Sequence, residues 1–313
     1  MTTLASPDGT PLSPLCFGAM QFGAAADEQA SEGMYRAARE AGITFFDTAH
    51  AYTGGASERI LGRLVAPERE RVVVATKVAY AGGSTRENIA RSVEESRGRL
   101  GLDAIDLLYL HRWDDATPLA ETFEALAREK AQGAFRHLGV SNFAAWQVML
   151  AQGVAARFDL RIDAIQPMYN LVKRQAEVEI LPMARHEGLA VAPYSPLGGG
   201  LLTGKYAGGG AEGRLRSDPR YAARYRPDWM HEVARGLVRL AAEAGLAPAT
   251  LAVLWAMRHP AVTAPIVSAR DAAQLAPSLA ALEARVDPAL LDRVEALSPA
   301  PPPATDRLEE REG

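Results

Sequence analysis

The sequence predicts one α/β domain spanning residues 1–313, a (β/α)8 TIM barrel with an N-terminal hairpin and one or two extra helices. Short apolar segments alternate with helical segments, and eight such pairs can be counted, the number that closes a barrel. No linker-like stretch divides the chain, and α/β barrels of this length commonly form one domain. Ionisable residues follow three consecutive predicted strands, at the edge where parallel barrels carry their catalytic groups.

The strands are recognised as short apolar runs rich in β-branched and aromatic residues. They are predicted at residues 15–18, 43–46, 72–77, 106–111, 136–140, 163–166, 189–194 and 262–267. Ahead of them, the turn signal Ser-Pro-Asp-Gly-Thr within residues 1–14 predicts a hairpin, which we expect to plug the floor of the barrel.

Helix boundaries are predicted from capping residues and glycines. The first helix covers residues 28–41 and stops at Gly42, whose lack of a Cβ suits a C-terminal cap. Ser57 is predicted to cap the second helix. A capping box formed by Ser84 and Glu87 opens the third, which runs to about residue 100. Further helices are predicted to start at Thr117-Pro118 and to cover residues 230–244 and Pro248–Arg258.

Two segments do not fit the repeat of strand and helix. Residues 195–228 combine glycine triplets with an Arg-, Tyr- and Pro-rich stretch and show no periodicity, which is long for a structureless connection. We therefore predict a cofactor- and substrate-binding loop that folds over a ligand as a flap. One of the two helices after it is expected to be extra to the barrel. Residues 298–313 are rich in proline and charge and are predicted to be a flexible tail.

The composition excludes several classes of protein. With 34 basic and 38 acidic residues the net charge is -4, so no nucleic-acid partner is indicated. The chain has no apolar run long enough to cross a bilayer and no leader-like start, so we predict no membrane partner and a cytoplasmic location. Cys16 is the only cysteine, so no internal disulfide is possible. The histidines do not stand at metal-ligand spacing, and no metal site is predicted.

Two nucleotide-binding motifs are incomplete or missing. The glycine-rich run ending in Gly204, Lys205 and Tyr206 is similar to a P-loop, but Tyr206 stands where the magnesium-binding hydroxyl residue belongs. No strand leads directly into a helix there. No G-x-G-x-x-G motif follows the first predicted strand, so a dinucleotide, if bound, is not held by a Rossmann turn.

The residues at the strand ends favour carbonyl chemistry. Asp47 and Tyr52 follow the second strand, Lys77 ends the third and His111 ends the fourth, so the four side chains are expected to converge. A tyrosine hydroxyl, with an ordinary pKa of about 10, is a general acid at neutral pH, and an ammonium beside it eases loss of its proton. Asp47 would hold Lys77 charged, and a neutral His111 would orient a carbonyl oxygen. Since no side chain donates a hydride, a nicotinamide must supply it.

Seven motifs in order along the chain carry a resemblance to a known family. They are Gly18-Ala-Met-Gln-Phe-Gly23, Phe46-Asp47-Thr-Ala-His-Ala-Tyr52, Thr76-Lys77, Tyr109-Leu-His111-Arg, Gly139-Val-Ser141-Asn142-Phe, Gln166-Pro-Met-Tyr-Asn170-Leu and the segment from Tyr194 to Tyr206. Over essentially its whole length the chain resembles the aldo-keto reductases. The resemblance implies a catalytic tetrad, with Tyr52 as proton donor, formed by Asp47, Tyr52, Lys77 and His111.

The resemblance also implies NADP(H) as the cofactor. Ser141, Asn142 and Gln166 would hydrogen-bond the nicotinamide carboxamide, and Tyr194 would stack beneath the nicotinamide ring. Further cofactor contacts are implied at Ser195, Leu197, Lys205 and Ser268.

The adenosine end and the substrate pocket follow from the same resemblance. Arg270 would meet the 2′-phosphate and Gln274 the adenosine, whereas the alternative for Arg270 is a solvated surface arginine. Ser268 and Ser278 depart from the family pattern, in which a glycine and a later asparagine are usual. The substrate would be a small carbonyl compound held by residues at the rim, namely Met20, Tyr52, His111 and Trp113.

The implied function is the NADPH-dependent reduction of an aldehyde or ketone to an alcohol. The alternative is a nicotinamide-binding, redox-sensing module with little turnover, like the potassium-channel β subunits of the same family. A barrel lyase or isomerase would need Lys77 as a Schiff-base nucleophile and would leave Ser141, Asn142 and Gln166 without a role. The sequence leaves the particular substrate and the oligomeric state open.

Overall fold

The computed structural model of the chain describes residues 4–206 and 213–307. At its centre is an eight-stranded sheet with the order β7-β6-β5-β4-β3-β2-β1-β8, in which neighbouring strands pair in parallel. The strands are β1 Cys16–Gly18, β2 Phe45–Asp47, β3 Val73–Val78, β4 Ile105–Leu110, β5 Phe135–Ser141, β6 Ile162–Gln166, β7 Ala190–Val191 and β8 Ile266–Val267. Helices alternate with these strands, which confirms the predicted fold class.

The central strands are buried on both faces because the barrel interior covers one face and the helices cover the other. β3 and β4 are buried at every residue. Since all strands run parallel, their C-terminal residues meet at one rim, where Asp47 pairs with Ala75 and Ser141 pairs with Gln166. This rim carries the candidate site.

The barrel closes between β7 and β8, its two shortest strands. β7 ends at Val191, and the nearby Pro193 has no backbone N–H with which to extend a ladder. The Thr263 N–H donates to the Val191 carbonyl at 2.8 Å, and the Ile266 N–H donates to the Pro193 carbonyl at 2.9 Å. Tyr194 forms a parallel bridge with Ile266. We call this set of contacts the β7–β8 seam.

The helices described by the structure pack around the sheet or extend its connections. They are α1 Glu28–Glu40, α2 Ala56–Val65, α3 Arg86–Leu100, α4 Leu119–Ala131, α5 Ala145–Ala155, α6 Ile180–Glu187, α7 Arg214–Ser217, α8 Pro219–Arg224, α9 Asp228–Glu243, α10 Pro248–Arg258, α11 Ala272–Leu279 and α12 Pro288–Glu295. α7 to α10 all lie between β7 and β8, so this connection carries the helices that a plain barrel repeat lacks.

Two predicted helix caps were wrong. α2 begins after Gly55, which has a left-handed backbone (φ 83°), and Ser57 lies inside the helix. Its hydroxyl donates to the Ala19 carbonyl at 2.7 Å. α3 is capped by Thr85 rather than Ser84. Both the N–H and the hydroxyl of Ser84 instead donate to the carboxylate of Asp114, in the β4–α4 connection. Both serines make tertiary contacts that residue spacing does not encode.

The N-terminal segment forms the predicted hairpin, with an antiparallel bridge between Ala5 and Pro11. Leu4 is buried among the apolar residues that line the barrel interior. The Ser13 N–H donates to the Thr44 hydroxyl at 2.8 Å, and the Thr44 N–H donates to the Ser13 hydroxyl at 3.0 Å. Because Thr44 precedes β2, these bonds hold the hairpin at the N-terminal end of the strands, opposite the rim.

The connection from β7 to α9 contains more regular structure than predicted. A 3₁₀ turn at Gly198–Thr203 is followed by α7 and α8, and residues 207–212 of the predicted flap lie outside the described residues. Tyr225 is buried and its hydroxyl accepts from Asn170 Nδ2 at 3.3 Å. Tyr221 lies so close to Gly199 that an added Cβ would meet the Tyr221 ring at 2.7 Å. Tyrosines therefore anchor this connection against the turn that follows β7.

The C-terminal segment begins at a buried residue that is hydrogen-bonded to the rest of the fold. Ser298 is buried, and its carbonyl accepts from Arg174 Nη1 at 3.2 Å. Residues 299–307 contain no helix or strand, and residues 308–313 of the predicted tail lie outside the described part. Among the described helices, none alone is long and apolar enough to span a membrane, and α9 with α10 passes that test only as a pair bent by 102°.

Candidate active site

A buried ion pair joins β2 to β3 at the rim. Lys77 Nζ lies 2.5 Å from Asp47 Oδ1 and 2.7 Å from the Thr48 carbonyl oxygen. Burial would lower the pKa of Lys77, but the Asp47 carboxylate and Tyr52 raise it above its ordinary value. Burial raises the pKa of Asp47, and Lys77 opposes that rise. Lys77 is therefore a cation fixed by neighbouring oxygens.

The Tyr52 hydroxyl lies 3.4 Å from Lys77 Nζ, and Nζ is 4.9 Å from the centre of the Tyr52 ring. Tyr52 opens a 3₁₀ turn in which Thr53 and Gly54 have left-handed backbone angles (φ 49° and 60°). This sharp turn brings the ring back over the end of β2. Burial raises the pKa of Tyr52, with Lys77 opposing the rise, so the hydroxyl is protonated at neutral pH.

His111 lies beside Tyr52, with ring centres 5.7 Å apart and planes at 83°. Its side chain is buried, and its Nδ1 has no hydrogen-bond partner among the described residues. Burial, together with the positive charges of Lys77 and Arg112, lowers the pKa of His111 to about 3. A neutral imidazole therefore stands next to the tyrosine hydroxyl. The structure brings all four predicted catalytic residues together.

The polar residues predicted to hold a carboxamide adjoin this tetrad. Gln166 Nε2 donates to Asp47 Oδ2 at 2.9 Å, so the amide also fixes the carboxylate. Ser141 donates to the Gln166 carbonyl at 3.0 Å. Asn142 has a left-handed backbone (φ 58°), and its Nδ2 donates to the His111 carbonyl at 3.0 Å and to the Ser141 hydroxyl at 3.1 Å. The tetrad and the amide residues form one continuous network.

Tyr194 reaches the same network from the end of β7. Its hydroxyl donates to Asn142 Oδ1 at 2.7 Å, and burial raises its pKa to about 12. Ser195, the next residue, has a left-handed backbone (φ 60°), which is uncommon for a residue with a side chain. Its carbonyl accepts from Asn170 Nδ2 at 2.9 Å. Backbone strain of this kind concentrates at ligand-binding positions.

The residues predicted for the adenosine end lie across the β7–β8 seam. Ser268 follows β8, and its Oγ is buried with no hydrogen-bond partner in the described structure. Arg270 is exposed, and its N–H donates to Gln274 Oε1 at 3.0 Å, so this glutamine supports the turn before α11. Asp271 caps α11 by accepting from the Gln274 N–H at 2.8 Å. Ser278 is buried on the same helix.

Residues 14–299 match the aldo/keto reductase family. The chain belongs to this family. An uncharacterised oxidoreductase of Bacillus subtilis (strain 168) is 34% identical over 94% of this chain and 94% of its own. A probable voltage-gated potassium channel subunit beta of Oryza sativa subsp. japonica is also 34% identical, over 95% of this chain and 96% of its own. Aflatoxin B1 aldehyde reductase member 2 of Rattus norvegicus is 40% identical over 63% of this chain and 56% of its own.

The family and the names of two of these relatives indicate that this aldo/keto reductase family member is an oxidoreductase. Its predicted substrate residues lie around the rim. Met20 follows β1 and is half-buried. Trp113 follows β4, packs edge-on against Phe143 with ring centres 5.2 Å apart, and donates from Nε1 to Asp115 at 2.6 Å. No described contact joins either residue to Tyr52 or His111, so their place in a substrate pocket stays a prediction.

The two remaining predicted cofactor contacts lie farther along the β7–α9 connection. Leu197 is half-buried and packs against two separate groups of buried apolar residues in the core. Lys205 Nζ lies 4.9 Å from the centre of the Tyr206 ring, and no described hydrogen bond joins it to the tetrad. Within residues 4–206 and 213–307, no group of three or more His, Cys, Asp or Glu residues is placed to hold a metal ion.

Three groups in the site were missed by sequence reasoning. The Thr48 carbonyl binds Lys77, but a backbone acceptor leaves no trace in the sequence. Tyr80 packs on His111 with ring centres 4.7 Å apart, and its position just after β3 is the signal that would have found it. Tyr221, in α8, is close enough to raise the pKa of Tyr52. Because Tyr221 is far in the sequence from every strand end, its position near Tyr52 could not be predicted.

Proposed function

We propose that this protein reduces the carbonyl group of an aldehyde or ketone to an alcohol with NADPH. The observation that carries the proposal is the buried Lys77 ammonium, bonded to Asp47 and 3.4 Å from the Tyr52 hydroxyl, with a neutral His111 beside it. This arrangement offers a substrate a proton and a polarising group, but no side chain in it can donate a hydride. A bound reduced nicotinamide supplies the hydride.

The residues around the tetrad fit a nicotinamide dinucleotide. Asn142 Oδ1 accepts one hydrogen bond, from Tyr194, and an amide oxygen has a second lone pair for a carboxamide N–H. On the other side of the seam, the buried Ser268 hydroxyl lacks a partner among described residues and suits a phosphate oxygen. The exposed Arg270 guanidinium makes no described hydrogen bond or ion pair, so its donors are available to a second phosphate.

Each tetrad residue has a separate task in the proposed reaction. Tyr52 gives its proton to the carbonyl oxygen as that oxygen gains negative charge. Lys77 stabilises the tyrosinate left behind, and Asp47 keeps Lys77 charged and aimed. The neutral imidazole of His111 orients the carbonyl oxygen next to Tyr52. In alcohol oxidation the same residues act in reverse, with Tyr52 taking the proton.

Replacing Tyr52 with phenylalanine tests the proposal, because this change removes the proton donor and keeps the ring. We expect kcat for carbonyl reduction to fall roughly 10²–10⁴-fold while the affinity for NADPH stays nearly unchanged. Tyr35→Phe is the matched control, since it removes a hydroxyl that donates to Glu68 outside the tetrad. The assay follows loss of reduced-nicotinamide absorbance with a panel of aldehydes and ketones. A Tyr52→Phe enzyme with more than half of the wild-type turnover would contradict the assignment.

A redox-sensing module with little turnover is the second candidate. It is favoured by the 34% identity, over 95% of this chain, to the rice protein named as a probable voltage-gated potassium channel subunit beta. Single-turnover and steady-state measurements separate the two functions. A sensor binds NADPH tightly and oxidises it slowly with every carbonyl compound, whereas fast steady-state turnover with any of them contradicts this candidate. A cytoplasmic location and a small carbonyl substrate stay predictions.

A further inference from the structure

A second ion pair lies next to the elements that carry the tetrad, with a fully buried carboxylate and an arginine side chain that is 23% exposed. Glu58, in the first turn of α2, is fully buried, and its Oε2 accepts from Arg99 Nη1 at 3.3 Å. Arg99 stands in the last turn of α3, and its Nη2 donates to Glu95 at 2.8 Å. Burial of a carboxylate is unfavourable unless it is paired and hydrogen-bonded, and apolar residues often replace such pairs without loss of stability. The location of this pair therefore calls for a role beyond stability.

The carboxylate of this pair is bonded to the strand that carries the catalytic lysine. Glu58 Oε1 accepts from the Thr76 hydroxyl at 2.7 Å, and Thr76 immediately precedes Lys77 on β3. Both Glu58 and Thr76 are fully buried, so no solvent competes for this bond. The contact fixes α2 against β3 at the level of Lys77.

The guanidinium of the pair is bonded to the turn that carries the catalytic tyrosine. Arg99 Nη1 donates to the His50 carbonyl at 3.2 Å, and the His50 N–H donates to the Lys77 carbonyl at 3.0 Å. His50 lies two residues before Tyr52. Gly55, three residues after Tyr52, has a left-handed backbone (φ 83°), and a Cβ there would lie 2.7 Å from Arg99 Nε. Glycine at this position lets the guanidinium lie against the turn.

We propose that Glu58 and Arg99 are positioning residues that hold the turn bearing Tyr52 in register with Lys77; this inference rests on the proposed function. The Tyr52 hydroxyl lies 3.4 Å from Lys77 Nζ, already long for a hydrogen bond, so a small outward movement of the turn breaks the contact. A misplacement of about 1 Å at a reacting group costs on the order of 10²-fold in rate.

The chain offers a matched control for loss of an ordinary ion pair. Arg39 Nη2 lies 2.6 Å from Glu68 Oε2, with side chains 17% and 26% exposed, and joins α1 to residues 66–71. No described contact links this pair to the tetrad. A purely structural role for Arg99 predicts that Arg99→Ala and Arg39→Ala behave alike, with lower melting temperatures and intact chemistry.

The positioning role predicts different kinetics for the two variants. Arg99→Ala lowers kcat roughly 10- to 100-fold with unchanged NADPH affinity, whereas Arg39→Ala keeps kcat within about twofold. Arg99→Lys, which keeps one cationic donor at the same place, recovers part of the loss. Where Arg99→Ala does not fold, Glu58→Gln gives the same comparison, because its amide oxygen still accepts from the Thr76 hydroxyl while its charge is removed.

A second readout does not depend on turnover. The ¹³Cζ resonance of Tyr52 reports on the hydroxyl–ammonium contact at neutral pH, and comparison with Tyr52→Phe assigns it. We expect this resonance to move in Arg99→Ala and to stay in place in Arg39→Ala. Wild-type kcat in Arg99→Ala, or an unmoved resonance, would overturn the positioning role. Absence of carbonyl turnover in the wild type would instead refute the proposed function, and the resonance would still decide where Tyr52 is held.

Discussion

Replacing Lys77 with methionine gives the most informative perturbation of the site, because it removes the cation and keeps an unbranched side chain. Asp47 then keeps the hydrogen bond from Gln166 Nε2 to its Oδ2 (2.9 Å) but loses the ion pair between its Oδ1 and Lys77 Nζ (2.5 Å). Removal of one member of a buried ion pair costs about 3–5 kcal/mol. With roughly 2.1 cal/mol/K of unfolding entropy per residue, this loss lowers the melting temperature by about 5–8 °C.

The destabilisation has a defined dependence on pH. Burial raises the pKa of Asp47 above its unfolded value, and removal of Lys77, which opposes that rise, raises it further. The folded variant therefore favours the protonated carboxyl. The stabilisation that the protonated Asp47 contributes is fully present below its unfolded pKa of about 4. It is lost as the pH rises through the folded pKa of Asp47. The gap in melting temperature between wild type and Lys77→Met should therefore widen as the pH rises from about 4 to neutral.

Thermal melts of wild type, Lys77→Met and a control across this pH range provide the measurement. Lys130→Met is the control, because Lys130 is exposed on α4 and its ammonium binds the Arg136 carbonyl and the Phe135 ring rather than a buried carboxylate, so this change should cost only about 1 kcal/mol. Equal melting temperatures for wild type and Lys77→Met at neutral pH, or a gap that narrows as the pH rises, would refute the reasoning.

Two further predictions concern the cofactor. Arg270→Ala should weaken NADPH binding by about 10- to 150-fold and leave NADH binding nearly unchanged, since a bond between a guanidinium and a phosphate contributes roughly 1.5–3 kcal/mol. Fluorescence titration of both cofactors at fixed ionic strength measures this, and an unchanged ratio of affinities would mark Arg270 as a solvated surface residue. Backbone amides of residues 213–227 should exchange more slowly with deuterium when NADPH is saturating, because Tyr221 and Tyr225 hold this segment against the connection that follows β7. Identical exchange rates with and without NADPH would contradict the prediction that this segment folds over the cofactor.

The barrel and the convergence of the tetrad could be predicted because both follow from one rule. In a parallel barrel every strand ends at the same rim, so Asp47, Lys77 and His111 must approach each other once their strands are recognised. The bond from Gln166 to Asp47 could not be predicted in this way, because it joins residues 119 apart and depends on how β6 and β2 face each other across the interior.

Local signals failed where tertiary contacts competed for the same atoms. Ser57 has the sequence features of a helix cap, but its hydroxyl is bonded to the Ala19 carbonyl inside the fold. Acidic residues in the first turn of a helix are stabilised there by the helix dipole, but Glu58, next to Ser57, is fully buried and paired. Its partner Arg99 belongs to a different helix, and no periodicity within either helix records the pairing.

The β7–β8 seam has a consequence for how ligand binding and folding are coupled. The seam is closed by few backbone bonds, and Tyr194 itself forms part of it through its bridge to Ile266. The proposed nicotinamide contacts lie on the β7 side of this seam. Ser268 and Arg270 follow β8, on the other side. A dinucleotide bound at both ends would therefore link β7 to β8, the two shortest strands of the barrel. At a hundredfold excess over Kd such a ligand adds about 2.7 kcal/mol to the free energy of unfolding. We expect the slowing of local opening, measured by amide hydrogen exchange, to be largest in β8.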